Sequence, residues 1–218
     1  MAKYKPMLPA STKEPFNDPG WFYEIKWDGL RIIAEVKKGK ALLYDKDGND
    51  CTSRFKLVTN ELQGLKDCIL DGEIVILDEN GRPDFEALQN YRGKGDIVYY
   101  VFDLLYLDGE SYIQRPLIQR KEMLLHAISK IEILTYNDDF ENGVGLYERL
   151  KEMGMEGVVA KRKESVYQPG KRSKDWLSIK TAKRREIKKV IPKSIPDIQD
   201  VIRKNIMQNR EKNPVKGK

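Results

Sequence analysis

Residues 24–31, Glu-Ile-Lys-Trp-Asp-Gly-Leu-Arg, place a lysine among two carboxylates, a glycine and an arginine. A lysine amine is a nucleophile once it has lost its proton, and a position beside a turn lets it meet a ligand. If the segment is extended, Glu24 and Lys26 point to the same side, since side chains alternate along a strand. The same residues also fit a surface hairpin with an ion pair, so the rest of the chain must decide.

Charged residues recur inside or at the ends of other apolar segments. These are Glu73, Asp103, Glu156, Lys161 and Lys180. One such charge is usually a solvent-facing strand residue, and charges removed from water need partners. Together with Lys26, these residues predict a polar cleft lined by strand ends, where lysines and carboxylates alternate and bind a nucleotide and its metal.

The elements that must position these residues are short strands and helices in irregular alternation. Aromatic and β-branched runs predict strands at 21–23, 32–36, 40–44, 69–77, 97–107, 131–136, 157–161 and 176–180. Helices are predicted at 54–65, 84–91, 117–128 and 145–153, and a polar loop at 164–174. The Asp28-Gly29 turn signal makes the first two strands a hairpin. We expect an α+β fold of antiparallel and mixed sheets flanked by helices, not a doubly wound parallel sheet.

The composition, 40% hydrophobic and 34% charged over 218 residues, fits one globular domain with an appendage. No apolar run is long enough to cross a membrane, and the first residues lack a signal-peptide core. Cys51 and Cys68 have no metal-like spacing, so we expect reduced thiols in a cytoplasmic protein. The single histidine, His126, falls in a predicted helix, which disfavours a zinc site or a Ser-His-Asp mechanism. A catalytic metal would then be a hard cation held by carboxylates and phosphates.

Five segments resemble, in the same order, the motifs of covalent nucleotidyltransferases. They are KWDGLR at 26–31, LDGE at 70–73, VFDLLYLDG at 101–109, EGVVAK at 156–161 and WLSIK at 176–180. The last four are most similar to the adenylation domain of ATP-dependent DNA ligases, including those of bacterial end-joining systems. The resemblance covers residues 4 to about 183 and implies a covalent nucleotidyltransferase (ATP-grasp-like) fold. It divides the chain into an adenylation domain at 1–183 and a basic tail with a short helix at 184–218.

In that family the motif lysine attacks the α-phosphate of ATP, releases pyrophosphate and becomes a lysyl-AMP. The matching residue is Lys26. A free lysine has a pKa near 10.4, about 3.4 units from neutral pH, so exposing its lone pair costs about 4.6 kcal/mol unless nearby positive charge lowers that cost. The resemblance assigns nucleotide binding to Glu24, Ile25, Arg31, Lys46, Glu73, Phe102, Glu156, Lys161 and Lys180.

Each match implies a role. Lys161 and Lys180 match residues that meet the α-phosphate, while Glu73 and Glu156 match carboxylates near the ribose and a bound Mg²⁺ or Mn²⁺. Arg31 matches an arginine close to the ribose and later to the 5′-phosphate end of DNA. The residue matching the aromatic that stacks on adenine is Phe102, whose apolar neighbours also fit a plain core position.

Two positions depart from the family pattern. The fifth motif usually carries two lysines one residue apart, and Ser178 replaces the first, which removes one cation from the phosphates. Lys46 stands where relatives have an arginine, so it keeps the charge but loses bidentate phosphate binding. It either touches a phosphate or only completes a turn. These ligases also normally continue into an OB-fold domain, for which the 38 residues after Lys180 are too few.

Two hypotheses follow. The first is an ATP-dependent DNA ligase that forms lysyl-AMP, passes AMP to a 5′-phosphate at a nick in double-stranded DNA, and seals the 3′-hydroxyl. The second is a non-catalytic or partner-dependent module that binds nucleotide or DNA ends, with a separate DNA-repair or OB-fold protein as partner. An RNA ligase or a cap-type guanylyltransferase of the same superfamily lies between them. The oligomeric state is not indicated.

The basic character of the chain belongs to its tail. Residues 181–218 carry 12 Lys and Arg against 4 Asp and Glu, a net charge of +8, whereas residues 1–180 carry 28 against 30. Ser194-Ile195-Pro196-Asp197 is typical of a helix start, and a short apolar stripe follows it. The tail is therefore either a helix packed on the core with a solvated end, or an anchor on the DNA backbone.

The anchor hypothesis predicts a change in salt dependence when the tail's first basic cluster is neutralised. The cluster consists of Lys183, Arg184, Arg185, Lys188 and Lys189. Each neutralised phosphate contributes about −0.9 to the slope of log affinity against log salt, so losing roughly four contacts should shrink the slope by about 3 to 4 units. The measurement is binding to a nicked duplex at several salt concentrations. An unchanged slope would mean that the catalytic face or a separate partner holds the DNA.

Overall fold

The computed structural model describes residues 4–79, 81–93, 95–128 and 134–181. This part of the chain forms strands β1 (Leu8–Thr12), β2 (Trp21–Ile25), β3 (Leu30–Lys37), β4 (Lys40–Asp45), β5 (Cys68–Ile76), β6 (Ile97–Leu107), β7 (Glu110–Ser111), β8 (Leu134–Tyr136), β9 (Asp139–Phe140), β10 (Gly157–Arg162) and β11 (Arg172–Lys180). The helices are α1 (Lys56–Leu62), α2 (Phe85–Gln89), α3 (Leu117–Ile128) and α4 (Gly143–Glu152). No helix in these ranges is long and apolar enough to cross a membrane.

The larger sheet has six strands in the order β4-β3-β5-β6-β7, paired antiparallel, with β8 added parallel to β6. Alternate residues of its strands place apolar side chains on one face of the sheet. Helices α1, α2 and α3 cover that face. The main hydrophobic core fills this layer and includes Leu70 of β5, Val58 of α1 and Leu124 of α3, all fully buried. Burial of such side chains contributes about 1.5–3 kcal/mol each and fixes the sheet under the helices.

The smaller sheet has five strands in the order β1-β11-β10-β2-β9. β10 pairs antiparallel with β11 and β2, and β1 runs parallel to β11 at the edge. α4 packs on this sheet, and its Leu150 joins Met153, Val158 and Ile179 in a second core cluster. The antiparallel and mixed sheets with helices on their faces confirm the predicted α+β class.

A third cluster joins the two sheets. Phe102 of β6 and Ile33 of β3, from the larger sheet, meet Trp176 of β11 from the smaller one, together with Met7 and Tyr167. The ring planes of Trp176 and Phe102 are 84° apart, with centroids 6.4 Å from each other. This cluster brings the charged strand ends of both sheets close to one another.

The predicted hairpin between β2 and β3 is wrong, because the two strands belong to different sheets. β2 pairs with β10 and β9, whereas β3 pairs with β4 and β5. Trp27, in the connecting segment, is buried and stacks on Tyr100 at 3.9 Å between ring centroids. A Cβ atom on Gly29 would lie 2.3 Å from the carbonyl oxygen of Ile74, so glycine is needed for close approach to β5. Packing of the tryptophan thus overrides the local turn signal.

Other differences arise at sheet edges. β11 begins at Arg172 rather than 176, because its first residues pair with Leu8 and Pro9 of β1, which the sequence did not predict as a strand. The two-residue β9 was not predicted either. α4 begins at Gly143 because the Asn142 side chain accepts a hydrogen bond from the backbone N–H of Gly145. Edge pairing of this kind depends on distant partners and leaves little local pattern.

Asp103 does not lie in the cleft predicted for it. Its two carboxylate oxygens accept hydrogen bonds from Nε and Nη2 of Arg120 on α3, at 2.7 and 2.8 Å, and both side chains are fully buried. Arg120 also donates to the carbonyl oxygens of Arg115 and Ser165. The charge of Asp103 is therefore compensated within the core, where it ties α3 to β6.

Arg120→Met should lower the free energy of unfolding by about 3 kcal/mol or more, because it leaves the Asp103 carboxylate buried without its cation. The measurement is urea unfolding at neutral pH. The matched control is Arg149→Met, which removes an exposed arginine 3.5 Å from Glu152 and should cost about 1 kcal/mol or less. Adding Asp103→Asn to Arg120→Met should recover part of the loss. Equal costs for the two arginine variants would contradict this account of the buried pair.

Candidate active site

Lys26 follows directly after the last residue of β2. Its backbone N–H donates to the carbonyl oxygen of Gly157 at 2.9 Å, which extends the ladder between β2 and β10. Gly157 has φ 145°, and a Cβ atom there would lie 2.1 Å from the carbonyl oxygen of Ile179. The glycine lets three strands approach closely under Lys26. The Lys26 side chain remains 23% exposed, so a ligand can reach its amine.

Glu156 bridges two lysines. Its Oε2 lies 2.9 Å from Nζ of Lys26, and its Oε1 lies 3.3 Å from Nζ of Lys180. Lys180 is 61% exposed, while the Glu156 side chain is only 14% exposed. Two ammonium groups around one carboxylate leave net positive charge, which favours an anion such as a phosphate at this point.

Arg31 is fixed by a bidentate ion pair. Its Nε and Nη2 donate to Oδ1 and Oδ2 of Asp71 at 2.6 and 2.7 Å, and the Tyr167 hydroxyl also donates to Oδ2 of Asp71 at 2.6 Å. Burial alone would lower the pKa of Arg31, but the Asp71 carboxylate outweighs burial and raises it. Arg31 therefore presents a permanent, rigidly oriented charge.

The Phe102 ring contacts two cations. The guanidinium carbon of Arg31 lies 4.4 Å from the ring centroid, and Nζ of Lys161 lies 4.0 Å from it. Nζ of Lys161 is also 4.3 Å from the Trp176 ring. The ring is buried, as a core position requires, and lies among charged groups, as a binding position requires. Cation–π attraction allows the two charged groups to lie against a buried aromatic ring.

Glu24 is a buried carboxylate with three polar neighbours. Its Oε2 accepts hydrogen bonds from Lys161 at 2.7 Å and from Nδ2 of Asn137 at 2.9 Å, and its Oε1 lies 2.9 Å from Nζ of Lys121. Asn137 Oδ1 in turn accepts a hydrogen bond from Nε1 of Trp27 at 2.8 Å. The Glu24 side chain is thus bonded inside the protein and links the segment after Lys26 to Lys161.

Sequence reasoning missed Lys121 and Asn137. One signal for Lys121 was available, because it lies four residues after Leu117 and three before Leu124, on the apolar stripe of α3. Arg120 falls on the same buried side. Charged residues at these positions must find partners in the interior. No comparable pattern marked Asn137.

Glu73 lies beside the cations. It is paired in register with Arg31 on β3 and with Tyr100 on β6. Burial raises the pKa of Glu73 to about 7, Arg31 and Lys26 oppose the rise, and Glu156 adds to it. The β3–β5 register places Glu73 next to Arg31, and its electrostatic interactions with Lys26 and Glu156 agree with one shared site.

Ser178 is the position at which the fifth segment was predicted to lack a lysine. Together with Trp176 and Lys180 it follows the alternation of β11, so the three lie on the same face. Its side chain is buried, and its Oγ has no hydrogen-bond partner among the described residues. The site therefore carries a small neutral group there in place of a cation.

Two of the remaining predicted residues, Ile25 and Lys46, lie in the described part of the chain. The Ile25 side chain belongs to the second core cluster, so its predicted role in nucleotide binding is limited to its backbone. Lys46 is exposed, and its Nζ lies 2.6 Å from Oδ2 of Asp47. It follows Asp45, the last residue of β4, which pairs with Ile32 of β3. The predicted DNA-contacting residues Lys183, Arg184, Arg185, Lys188 and Lys189 lie outside the described residues, as does the predicted tail helix.

Comparison with known proteins agrees with this geometry. Residues 6–180 match the family described as "ATP dependent DNA ligase domain". The chain belongs to the ATP-dependent DNA ligase family, and its described fold is that of the adenylation domain.

Individual relatives support this membership. The chain is 35% identical over 179 residues to the SPbeta prophage-derived DNA ligase-like protein LigB of Bacillus subtilis, covering 80% of this chain and 66% of LigB. It is 37% identical over 174 residues to the multifunctional non-homologous end joining protein LigD of Pseudomonas aeruginosa, covering 76% of this chain and 21% of LigD. A structure of mycobacterial DNA ligase D complexed with ATP and MES superposes with a TM-score of 0.74 at 31% identity, covering 81% of this chain and 60% of that chain. The chain thus spans less than two thirds of these relatives.

Glu73→Gln should stabilise the protein above neutral pH. The ordinary pKa of the carboxyl is 4.5 and its folded pKa is about 7, so ionisation of Glu73 weakens the fold as pH rises through this range. At pH 8 the variant should gain roughly 1–3 kcal/mol in unfolding free energy, and much less at pH 5. The measurement is urea unfolding at both pH values, with the exposed Glu79→Gln as control. A gain that is equal at pH 5 and pH 8 would rule out this electrostatic origin.

Proposed function

We propose that this chain carries out the ATP-dependent DNA ligase reaction. Lys26 is adenylated by ATP, AMP passes to a 5′-phosphate at a nick in double-stranded DNA, and the 3′-hydroxyl displaces AMP to seal the strand. The observation that carries the proposal is the accessible Lys26 amine 2.9 Å from Glu156, whose other oxygen lies 3.3 Å from Lys180. A nucleophile, a carboxylate and a second cation lie together at the adjoining ends of β2, β10 and β11.

In the first step the Lys26 amine attacks the α-phosphorus. An N–P bond forms, the P–O bond to the β-phosphate breaks, and pyrophosphate leaves with that electron pair. The amine must first lose a proton, because an ammonium group has no lone pair. Oε2 of Glu156, at 2.9 Å, is positioned to accept that proton. The exposed Lys180 is free to turn from Glu156 to the negative charge that builds on the phosphate oxygens.

The other cations would hold the adenosine part and the DNA end. Arg31 uses Nε and Nη2 on Asp71, which leaves the Nη1 group for a ribose hydroxyl or a 5′-phosphate. Lys161 and the Phe102 ring lie in contact, so a base stacked on Phe102 would lie beside an ammonium group. The fixed ion pairs mean that these groups need little rearrangement when the nucleotide binds.

Two carboxylates fit a divalent metal. Glu73 and Glu156 interact electrostatically, and carboxylate oxygens are the ligands that Mg²⁺ and Mn²⁺ prefer. No group of three or more metal-binding side chains occurs in the described part of the chain, so phosphate oxygens and water would complete the coordination. Such an ion supplies positive charge that neutralises the phosphates. Glu73 and Glu156 would hold it next to Lys26.

Lys26→Ala should abolish covalent AMP labelling, because it removes the amine that lies at the end of β2, 2.9 Å from Oε2 of Glu156. The protein is incubated with α-labelled ATP and Mg²⁺ or Mn²⁺ and analysed on a denaturing gel. Lys66→Ala serves as control, since it removes an exposed lysine paired with Asp108 and should leave labelling unchanged. Labelling that persists in Lys26→Ala would disprove the assignment.

A chase of the labelled protein with a nicked duplex separates the ligase from the binding module. A ligase loses the label and yields a sealed strand. A protein that keeps its label in the presence of the nicked duplex, or that never acquires one while still binding ATP, is a partner-dependent or non-catalytic module. The same chase on a nicked RNA duplex tests the RNA ligase alternative.

A further inference from the structure

We propose that Lys121 is a positioning residue for the nucleotide site, acting through Glu24 to leave the charge of Lys161 only partly compensated beside the Phe102 ring. The inference rests on the proposed function of this site. Lys121 belongs to α3, which packs on the larger sheet. Lys161, on which Lys121 acts, belongs to β10 of the smaller sheet.

The first support is the geometry around Glu24. Nζ of Lys121 and Nζ of Lys161 lie 2.9 and 2.7 Å from Oε1 and Oε2 of the same carboxylate. Only the Lys161 contact has hydrogen-bond geometry, since Oε1 has no hydrogen-bond partner among the described residues, so the Lys121 contact is ionic. Both ammonium groups therefore compete for one negative charge.

The second support is the burial of Lys121. The side chain is only 3% exposed, and its remaining neighbours are internal: the Tyr136 hydroxyl at 3.1 Å, the Asn137 carbonyl oxygen at 3.4 Å and Oδ1 of Asp139 at 3.4 Å. Burial alone would lower the pKa of Lys121, but Glu24, Tyr136 and Asp139 outweigh burial and raise it. Lys121 thus stays charged and cannot reach a ligand directly, so it acts on the site through Glu24 and through its charge repulsion with Lys161.

The third support is the charge balance at Lys161. Without Lys121, Glu24 would neutralise Lys161 alone, and a buried neutral pair offers little to an anionic nucleotide. With Lys121 present, the two cations share Glu24, so this carboxylate compensates Lys161 only in part, while Asp139 lies 3.4 Å from Lys121. Burial lowers the pKa of Lys161 to about 8, Glu24 opposes this, and Lys121 adds to it.

Other charged groups also face Lys161. Asp103 of β6 raises its pKa, and Arg31 of β3 contacts the same Phe102 ring. Asp139, in β9 beside β2, lies next to Lys121, while β11 presents the uncharged Trp176. Asp139 loses a cation in a Lys121 variant, and so does Asp138, whose pKa burial raises to about 7 against the effect of Lys121, so Lys121→Arg, which keeps the charge, is needed to assign the shift to Lys161.

The test is the pH dependence of covalent AMP labelling in the full chain, measured at subsaturating ATP so that the profile reports the free enzyme. Wild type should show a falling limb near pH 8 as Lys161 loses its proton. In Lys121→Met the limb should move up by about one unit, and labelling at pH 7 should fall roughly tenfold, because Glu24 then holds Lys161 alone. Lys121→Arg should restore the wild-type limb. Lys151→Met, which removes an exposed lysine of α4, is the matched control.

A purely structural role for Lys121 would lower the whole profile without moving its limb, and that result would overturn the inference. If Lys121→Met does not fold, the comparison is made between Glu24→Gln and Glu24→Gln/Lys121→Met, which leave no unpaired carboxylate at position 24. Once Glu24 is neutral, only the direct repulsion between the two lysines remains, so the added substitution should move the limb by less than about one unit, and a shift of that size or larger would overturn the inference.

Failure of the proposed function is distinguishable from failure of this inference. If wild type acquires no label, the titration of the Lys161 amine is followed by NMR in the free protein. A midpoint that rises in Lys121→Met would support the positioning role even though the chain is not a ligase. An unchanged midpoint would reject it.

Discussion

The carboxylate of Glu24 joins three parts of the molecule. It lies on β2, receives Lys161 from β10 and Lys121 from α3, and is bonded through Asn137 to the tryptophan that follows Lys26. A carboxylate removed from water is costly unless such partners surround it. The position of Lys26 relative to Lys161 therefore depends on the Glu24 carboxylate. The contact between the smaller sheet and α3 depends on it as well.

The same rule governs the other buried charges, both in the cleft and in the core. Asp71 compensates Arg31, Glu156 compensates Lys26 and Lys180, and Asp103 compensates Arg120. Apolar residues of similar volume would often stabilise a fold as well as a buried ion pair does. The side chains of Lys26 and Lys180 are partly exposed, so a ligand can displace them from Glu156. This accessibility distinguishes a binding site from a buried ion pair in the core. Asp103 and Arg120, fully buried, have no such freedom.

The sequence predicted the fold class and most strands, because alternation and apolar runs reflect local pairing. It also placed Lys26, Glu156 and Lys180 at or next to strand ends, where the structure has them, while their roles in catalysis stay a prediction. It misjudged the path between β2 and β3, where Trp27 packs against Tyr100 instead of following a turn. Lys121 was missed for a related reason: its partner Glu24 lies 97 positions earlier in the sequence, and such contacts appear only once the sheets are packed.

The central claim, that one lysine at the end of β2 carries the chemistry, is tested most directly by locating the nucleotide. The protein is incubated with ATP and a divalent metal, digested, and examined by tandem mass spectrometry under conditions that preserve the phosphoramidate bond. The account predicts a single AMP adduct on the peptide that contains Lys26. An adduct on Lys161 or Lys180 instead, with Lys26 unmodified, would contradict it.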